Sequence, residues 1–235
     1  MSRSFSDTRR WMQQGTALLS QETDLDAGAL AGPSGLPGWS RKHLLAHVAA
    51  NAGALGNLIR WAATGEPAPM YASPEARAAG IEQGSRLPAG ELTAWLRRSA
   101  GALEEAMTRL TDDQWLVSVL TAQGQAIPAS EVPWMRSREV YVHVVDLATG
   151  VSFTDLPTGF LAALCDDAAG NRSEAAAPAL VLEASDTGQR WDLPGGVEPV
   201  TLIGPLAEIT AYLAGRPHRL TTAGGEPAPV RPAWL

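Results

Sequence analysis

The sequence predicts a mainly α protein, a four-helix bundle followed by a small α+β domain. Three observations carry that prediction. Before about residue 150 the apolar residues recur at helical spacing, and stretches rich in Pro and Gly separate the segments. After it the pattern changes to short strand-like runs joined by turn residues. The 235 residues suffice for a bundle over 1–150 and a smaller domain over 151–235, each with an apolar interior and no need of disulfide staples.

The first helix is expected from Ser6 to Leu25, with Trp11, Ala17, Leu18 and Leu25 on one face. After the turn-forming AGPSGLPG, Ser40 stands where an N-cap is wanted, and SRKHLLAHVAANAGALGNLIRWAATG runs as the second helix until Gly65. A loop containing Pro67, Pro69, Pro74 and Pro88 leads to the third, Ala89 to Leu110, striped by Leu92, Leu96, Leu103 and Leu110. The fourth begins near Ser130, tolerates Pro133 in its first turn and ends at Gly150. Beyond it, ALVLEA and QRWDL read as a hairpin around SDTG, VEPVTLIG as another strand, and PLAEITAYLAGR as a helix. The tail LTTAGGEPAPVRPAWL reads as extended.

Composition narrows the function. A net charge of −7 argues against nucleic acid, whose phosphates need clustered Lys and Arg. No run reaches the roughly 20 apolar residues that cross a bilayer, and MSRSFSDTRRWMQQ lacks the apolar core of a secretion signal. The single cysteine, Cys165, excludes an intramolecular disulfide and lies in apolar FLAALCDD, so it reads as a small core residue. The expectation is a cytoplasmic protein, a monomer or weak homodimer, whose partners are small molecules.

The chemistry concentrates in REVYVHVVDL. Glu139 and His143 stand at i and i+4, which stacks their side chains on one helical face. HLLAH on the second helix offers His47, and packing the two helices together brings two imidazoles and a carboxylate to one place, leaving positions open as in a catalytic metal site. The alternative is a packing pair neutralised by Arg136 or Arg138. Against it, Val140, Val142, Val144, Val145 and Leu147 surround the pair, and unpaired charge buried there is costly.

GWSRKHLLAHVAANA and RSREVYVHVVDLATG together resemble the mycothiol-dependent maleylpyruvate isomerase family, and the length, segmentation and AGR near the C-terminus agree over essentially the whole chain. The resemblance implies a DinB-like bundle, a C-terminal domain like sterol carrier proteins, and zinc on His47, Glu139 and His143. It implies mycothiol as the source of sulfur, with zinc lowering the thiol pKa. Thiolate addition to an activated cis double bond, rotation and elimination would then turn maleylpyruvate into fumarylpyruvate. Arg216 falls where the family carries a functional arginine that holds an anionic group, although an arginine there also suits capping of helix carbonyls, and Arg219 and Arg231 are neighbouring alternatives.

Other readings stay open. With the same zinc and thiol, the chain could instead transfer or exchange mycothiol on an electrophilic substrate; a non-catalytic ligand-binding bundle is the reading of another class. Two His and a carboxylate also suit iron(II), but a helical pair on a bundle favours zinc. Arg77 and Arg86, in the expected loop, are candidates to grip the thiol cofactor, and Asn51 to orient a ligand or make an interhelical hydrogen bond. His43 reads as a cap, Asp146 as a hydrogen-bonding residue of the bundle and His218 as exposed. Trp39, Trp61, Trp95, Trp115 and Trp134 read as core or loop anchors.

Overall fold

The structure, a computed structural model, describes residues 3–170, 178–196, 198–222 and 224–230. Chain contacts divide it into a unit spanning Ser4–Gly150 and a unit from Val151 onward. The first contains α1 (Phe5–Glu22), α2 (Ala27–Ala31), α3 (Arg41–Thr64), α4 (Pro74–Ser85), α5 (Ala89–Thr108), α6 (Asp112–Trp115), β1 (Ser118–Leu120), β2 (Ala126–Pro128) and α7 (Val132–Asp146). Four long helices form the bundle: α1 lies against α7, and α3 packs on both α5 and α7.

Local chemistry sets the helix ends. The Ser4 hydroxyl accepts from the Asp7 N–H, and the Asp7 carboxylate accepts from the Ser4 N–H, a reciprocal cap that starts α1 at Phe5, one residue before the expected Ser6. The buried stripe of α1 is Thr8, Trp11, Met12, Gly15 and Leu19, so Ala17, Leu18 and Leu25 are displaced from the expected face. Gly15 belongs to that stripe because α7 comes so close that a Cβ there would stand 2.6 Å from Val140 Cγ2. At the other end of the bundle, α7 stops at Asp146 rather than Gly150, and Ala148 follows at a positive φ of 54°.

The expected loop between the second and third long helices contains α4. Ser73 caps it by accepting from the Ala76 N–H, and Pro74 takes the first helical position, where its missing donor costs nothing. Gly84 lets α4 lie on α3: a Cβ there would be 2.6 Å from Trp95 Cζ3 and 2.8 Å from Ala46 Cβ. The antiparallel β1–β2 hairpin, also unexpected, leads through a 3-10 turn at Ala129–Glu131 into α7.

The second unit opens with α8 (Thr158–Gly170), a helix absent from the sequence reading. β3 (Leu180–Ala184) pairs antiparallel with β4 (Arg190–Leu193) and parallel with β5 (Val200–Gly204), giving the order β4-β3-β5, and α9 (Leu206–Leu213) packs on α8. Cys165 is buried between helices, its Sγ 3.3 Å from Thr210 Oγ1, and burial pushes its thiol up to about 12. His218, expected to be exposed, is half-buried with its ring 4.9 Å from that of Tyr212. The tail makes isolated bridges, Leu202 to Thr222 and Thr221 to Pro227. Among the described residues no helix is long and apolar enough to cross a membrane.

Candidate metal centre

Helix α3 starts on Ser40, whose hydroxyl accepts from the His43 N–H while His43 Nδ1 accepts from the Ser40 N–H. That fixes His43 as a cap. One turn further His47 points into the bundle, 6% exposed, and meets α7, where the i, i+4 spacing puts Glu139 and His143 on one face. His47 Nε2 is 3.0 Å from Glu139 Oε2 and 3.2 Å from His143 Nε2, and His143 Nε2 is 3.3 Å from Glu139 Oε2. One ligand atom from each residue lies within 4.8 Å of the other two.

The two histidines have different supports. His143 Nδ1 donates to Asp146 Oδ2 at 2.9 Å, a contact that fixes the ring and leaves Nε2 facing Glu139. His47 Nδ1 instead faces Arg77 of α4, whose Nη2 donates to it at 3.2 Å. Arginine carries only donors, so a guanidinium stands behind the His47 ring where a carboxylate stands behind that of His143. The Arg77 guanidinium also lies over the Tyr71 ring, 5.7 Å from its centroid, and the Trp39 ring stands 5.6 Å from that of His47.

Electrostatics follow from these contacts. Burial opposes ionisation of Glu139, but hydrogen bonds from His143 and His47 outweigh it and hold the carboxyl well below its usual range. Burial also disfavours the charged form of His143, yet Asp146 and Glu139 together carry it to about 9. His47 moves the other way, because burial outweighs the pull of Glu139. One turn toward the N-terminus of α7, Arg136 donates through Nη1 to the Val48 carbonyl and to Asn51 Oδ1, while its Nε and Nη2 have no hydrogen bond. Burial pulls this guanidinium down to about 10, and the charge of Glu139 partly restores it.

The structure therefore gathers His47, Glu139, His143 and Arg77 in one place, with Asp146 behind His143. Asn51 is buried in the interhelical hydrogen bond with Arg136. Arg86, the residue just past α4, is exposed and pairs with Glu82 of that helix at 2.7 Å. Arg216 belongs to the second unit, where it is buried and its Nη1 donates to the Ala214 carbonyl just past α9. Arg219 is exposed and its backbone N–H donates to Glu208; Arg231 lies outside the described residues. Tyr71 and the helical setting of Arg77 were not legible in the sequence, because the surrounding prolines signal only a loop. The donor set itself suits a divalent cation of zinc type: two imidazole nitrogens and a carboxylate oxygen converge from rigid helices, and one ring is already oriented by a carboxylate behind it.

Residues 11–148 match the family model of the mycothiol maleylpyruvate isomerase N-terminal domain. The chain belongs to that family. The crystal structure of the mycothiol-dependent maleylpyruvate isomerase is 38% identical to it, with a TM-score of 0.91 over 99% of this chain and 98% of that one. A histidine-to-alanine mutant of that isomerase gives the same identity, coverage and TM-score. The third neighbour, from Bacillus subtilis, is described as a probable metal-dependent hydrolase with an unusual four-helix bundle topology; it is 19% identical, with a TM-score of 0.49 over 63% of this chain and 86% of that one. No curated protein sequence matches the chain. Membership of the family, first read from the helical strings around His47 and His143, thus holds for the bundle in sequence and for nearly the full chain in fold.

Proposed function

We propose that this chain is an enzyme that uses mycothiol and one zinc ion to isomerise maleylpyruvate to fumarylpyruvate. The observation that carries the reading is the convergence of His47, Glu139 and His143 within 4.8 Å in a chain that follows the isomerase over 99% of its length at 38% identity. Zinc held by these residues would supply Lewis acidity, lowering the pKa of a thiol at an open position.

The chain's own residues prepare that site. Asp146 fixes the His143 ring so that Nε2 faces inward. Glu139 stays ionised and supplies the negative charge that a divalent ion needs. Trp39 and Tyr71 flank the donors with aromatic surface, suited to excluding water. Cys165 does not supply the sulfur, since its thiol is buried in the second unit and pushed up to about 12. In this reading residues 1–150 form the metal-binding domain, residues 151–235 contribute Arg216 to hold an anionic group, and the setting is a reducing cytoplasm.

The test is to incubate metal-loaded protein with mycothiol and maleylpyruvate. Isomerisation that requires both the thiol and the metal, and that His143→Ala abolishes, is the expected result. Bound metal without isomerisation would overturn the reaction assigned, and a thioether accumulating in its place would mean transfer of the thiol.

A further inference from the structure

The two helices that carry the donors are bridged at one end by an arginine far from the donors in role but not in space. Arg41 is the first residue of α3, six residues before His47, and its guanidinium reaches across to the end of α7. Its Nε donates to the Leu147 carbonyl at 2.6 Å and Nη2 to the Ala148 carbonyl at 2.9 Å, while Nη1 donates to the Ala29 carbonyl of α2 at 2.9 Å. Just ahead of α3, the Gly35 N–H donates to the Asp146 carbonyl at 2.7 Å. Three successive carbonyls of the kind a helix end leaves without partners of its own are thus taken by the segment that opens α3. A cation among them also meets the negative end of the helix dipole. Between the two carbonyls that Arg41 grips on α7 lies Ala148, at a positive φ of 54°, a conformation that a residue with a Cβ keeps only where its surroundings impose it.

Resting on the metal-dependent reading above, we infer that Arg41 is a positioning residue of the metal centre: by bridging the start of α3 to the end of α7, it sets the spacing between His47 and the His143–Asp146 pair. The arms from the bridge to the donors are short. At 1.5 Å per residue, His47 lies about 9 Å along α3 from Arg41, a distance over which a helix acts as a stiff rod. On α7 the bridge grips the residues immediately after Asp146, whose carboxylate holds His143 Nδ1 at 2.9 Å. A shift at the bridge therefore reaches both imidazoles. Three hydrogen bonds from one planar group fix orientation as well as distance, which the single nitrogen of an ammonium does not.

The experiment loads the full chain with cobalt(II), whose visible absorption reports ligand number and geometry, and measures zinc affinity against a chelating dye, both well below the melting temperature. Arg41→Met, which keeps an apolar stem without donors, should bind zinc about tenfold more weakly and show a changed cobalt spectrum. Arg41→Lys keeps the charge at the helix end and should fall near Arg41→Met rather than near wild type; as the milder change, it decides the same question should Arg41→Met not fold. The control is Leu103→Ala, in the apolar cluster with Met107, Trp115 and Val132, the residue that opens α7 at its other end. It should lower the melting temperature but leave the cobalt spectrum and zinc affinity of the folded protein at wild-type values. A wild-type spectrum and affinity in Arg41→Met or in Arg41→Lys, or the same spectral change in Leu103→Ala, overturns the inference while leaving the metal centre intact. A wild-type chain that binds no divalent ion overturns the metal-dependent reading together with it.

Discussion

The two flanks of the metal centre are built on opposite principles. On the α7 side an acceptor, Asp146, stands behind His143 and fixes its ring with Nε2 toward the centre. On the α4 side a donor, Arg77, stands behind His47, its Nη2 3.2 Å from Nδ1. One ring is backed by a carboxylate and the other by a guanidinium. The comparison teaches that two like donors need not be equivalent, since the group behind each ring, acceptor or donor, sets its orientation and its charge.

The largest effect should come from removing a donor. His47→Ala and His143→Ala should each weaken zinc binding by more than about 100-fold, beyond what loss of a supporting residue causes, as read by competition with a chelating dye. Next comes the preorganised flank: Asp146→Asn should cost about 10-fold to 100-fold in zinc affinity, with an intact fold by circular dichroism. If Asp146→Asn and Arg77→Leu shift the affinity in the same direction, the contrast between the flanks is broken.

Acidity sharpens the contrast further. His143 is raised to about 9 by Asp146 and Glu139 against the effect of burial, so below that pH each bound ion displaces one proton from it. Apparent zinc affinity should climb about tenfold per pH unit and level off above about pH 9; in Asp146→Asn the break should move down toward the ordinary 6.5. For the metal-free fold the sign is the reverse. A raised histidine stabilises the folded state fully below 6.5, and that contribution disappears as pH rises through about 9, so the melting temperature without metal should fall over this window.

The smallest change concerns how α4 is seated. Gly84→Ala would put a Cβ 2.6 Å from Trp95 Cζ3 and 2.8 Å from Ala46 Cβ, one residue before His47. Pushing α4 outward should cost about 1–3 kcal/mol of stability and loosen Arg77 from His47, moving zinc affinity slightly toward that of Arg77→Leu. Unchanged stability would mean that α4 is not pinned at Gly84.

Much of this was written in the sequence at short range. The bundle's long helices, the Ser40 cap and the Glu139 and His143 pair all rest on fixed local spacing, which a helix converts directly into a shared face. What the sequence concealed depends on contacts between distant segments. Arg77 and Tyr71 sit in a proline-rich stretch whose local signals say loop, and only the packing of α4 on α3 brings them to His47. The inward face of α1 was misread because Gly15, apolar by absence, marks the close approach of α7 and not a gap in the stripe. Helix α8 escaped because its apolar residues, Phe160 to Cys165, form an unbroken run without the alternation that marks a half-buried helix.

The most direct test of the central claim is a crystal grown with zinc and measured on both sides of the zinc absorption edge. The account predicts one anomalous peak about 2.0–2.2 Å from His47 Nε2, His143 Nε2 and a Glu139 carboxylate oxygen. A peak elsewhere, or none, with His47 still hydrogen-bonded to Glu139, would contradict it.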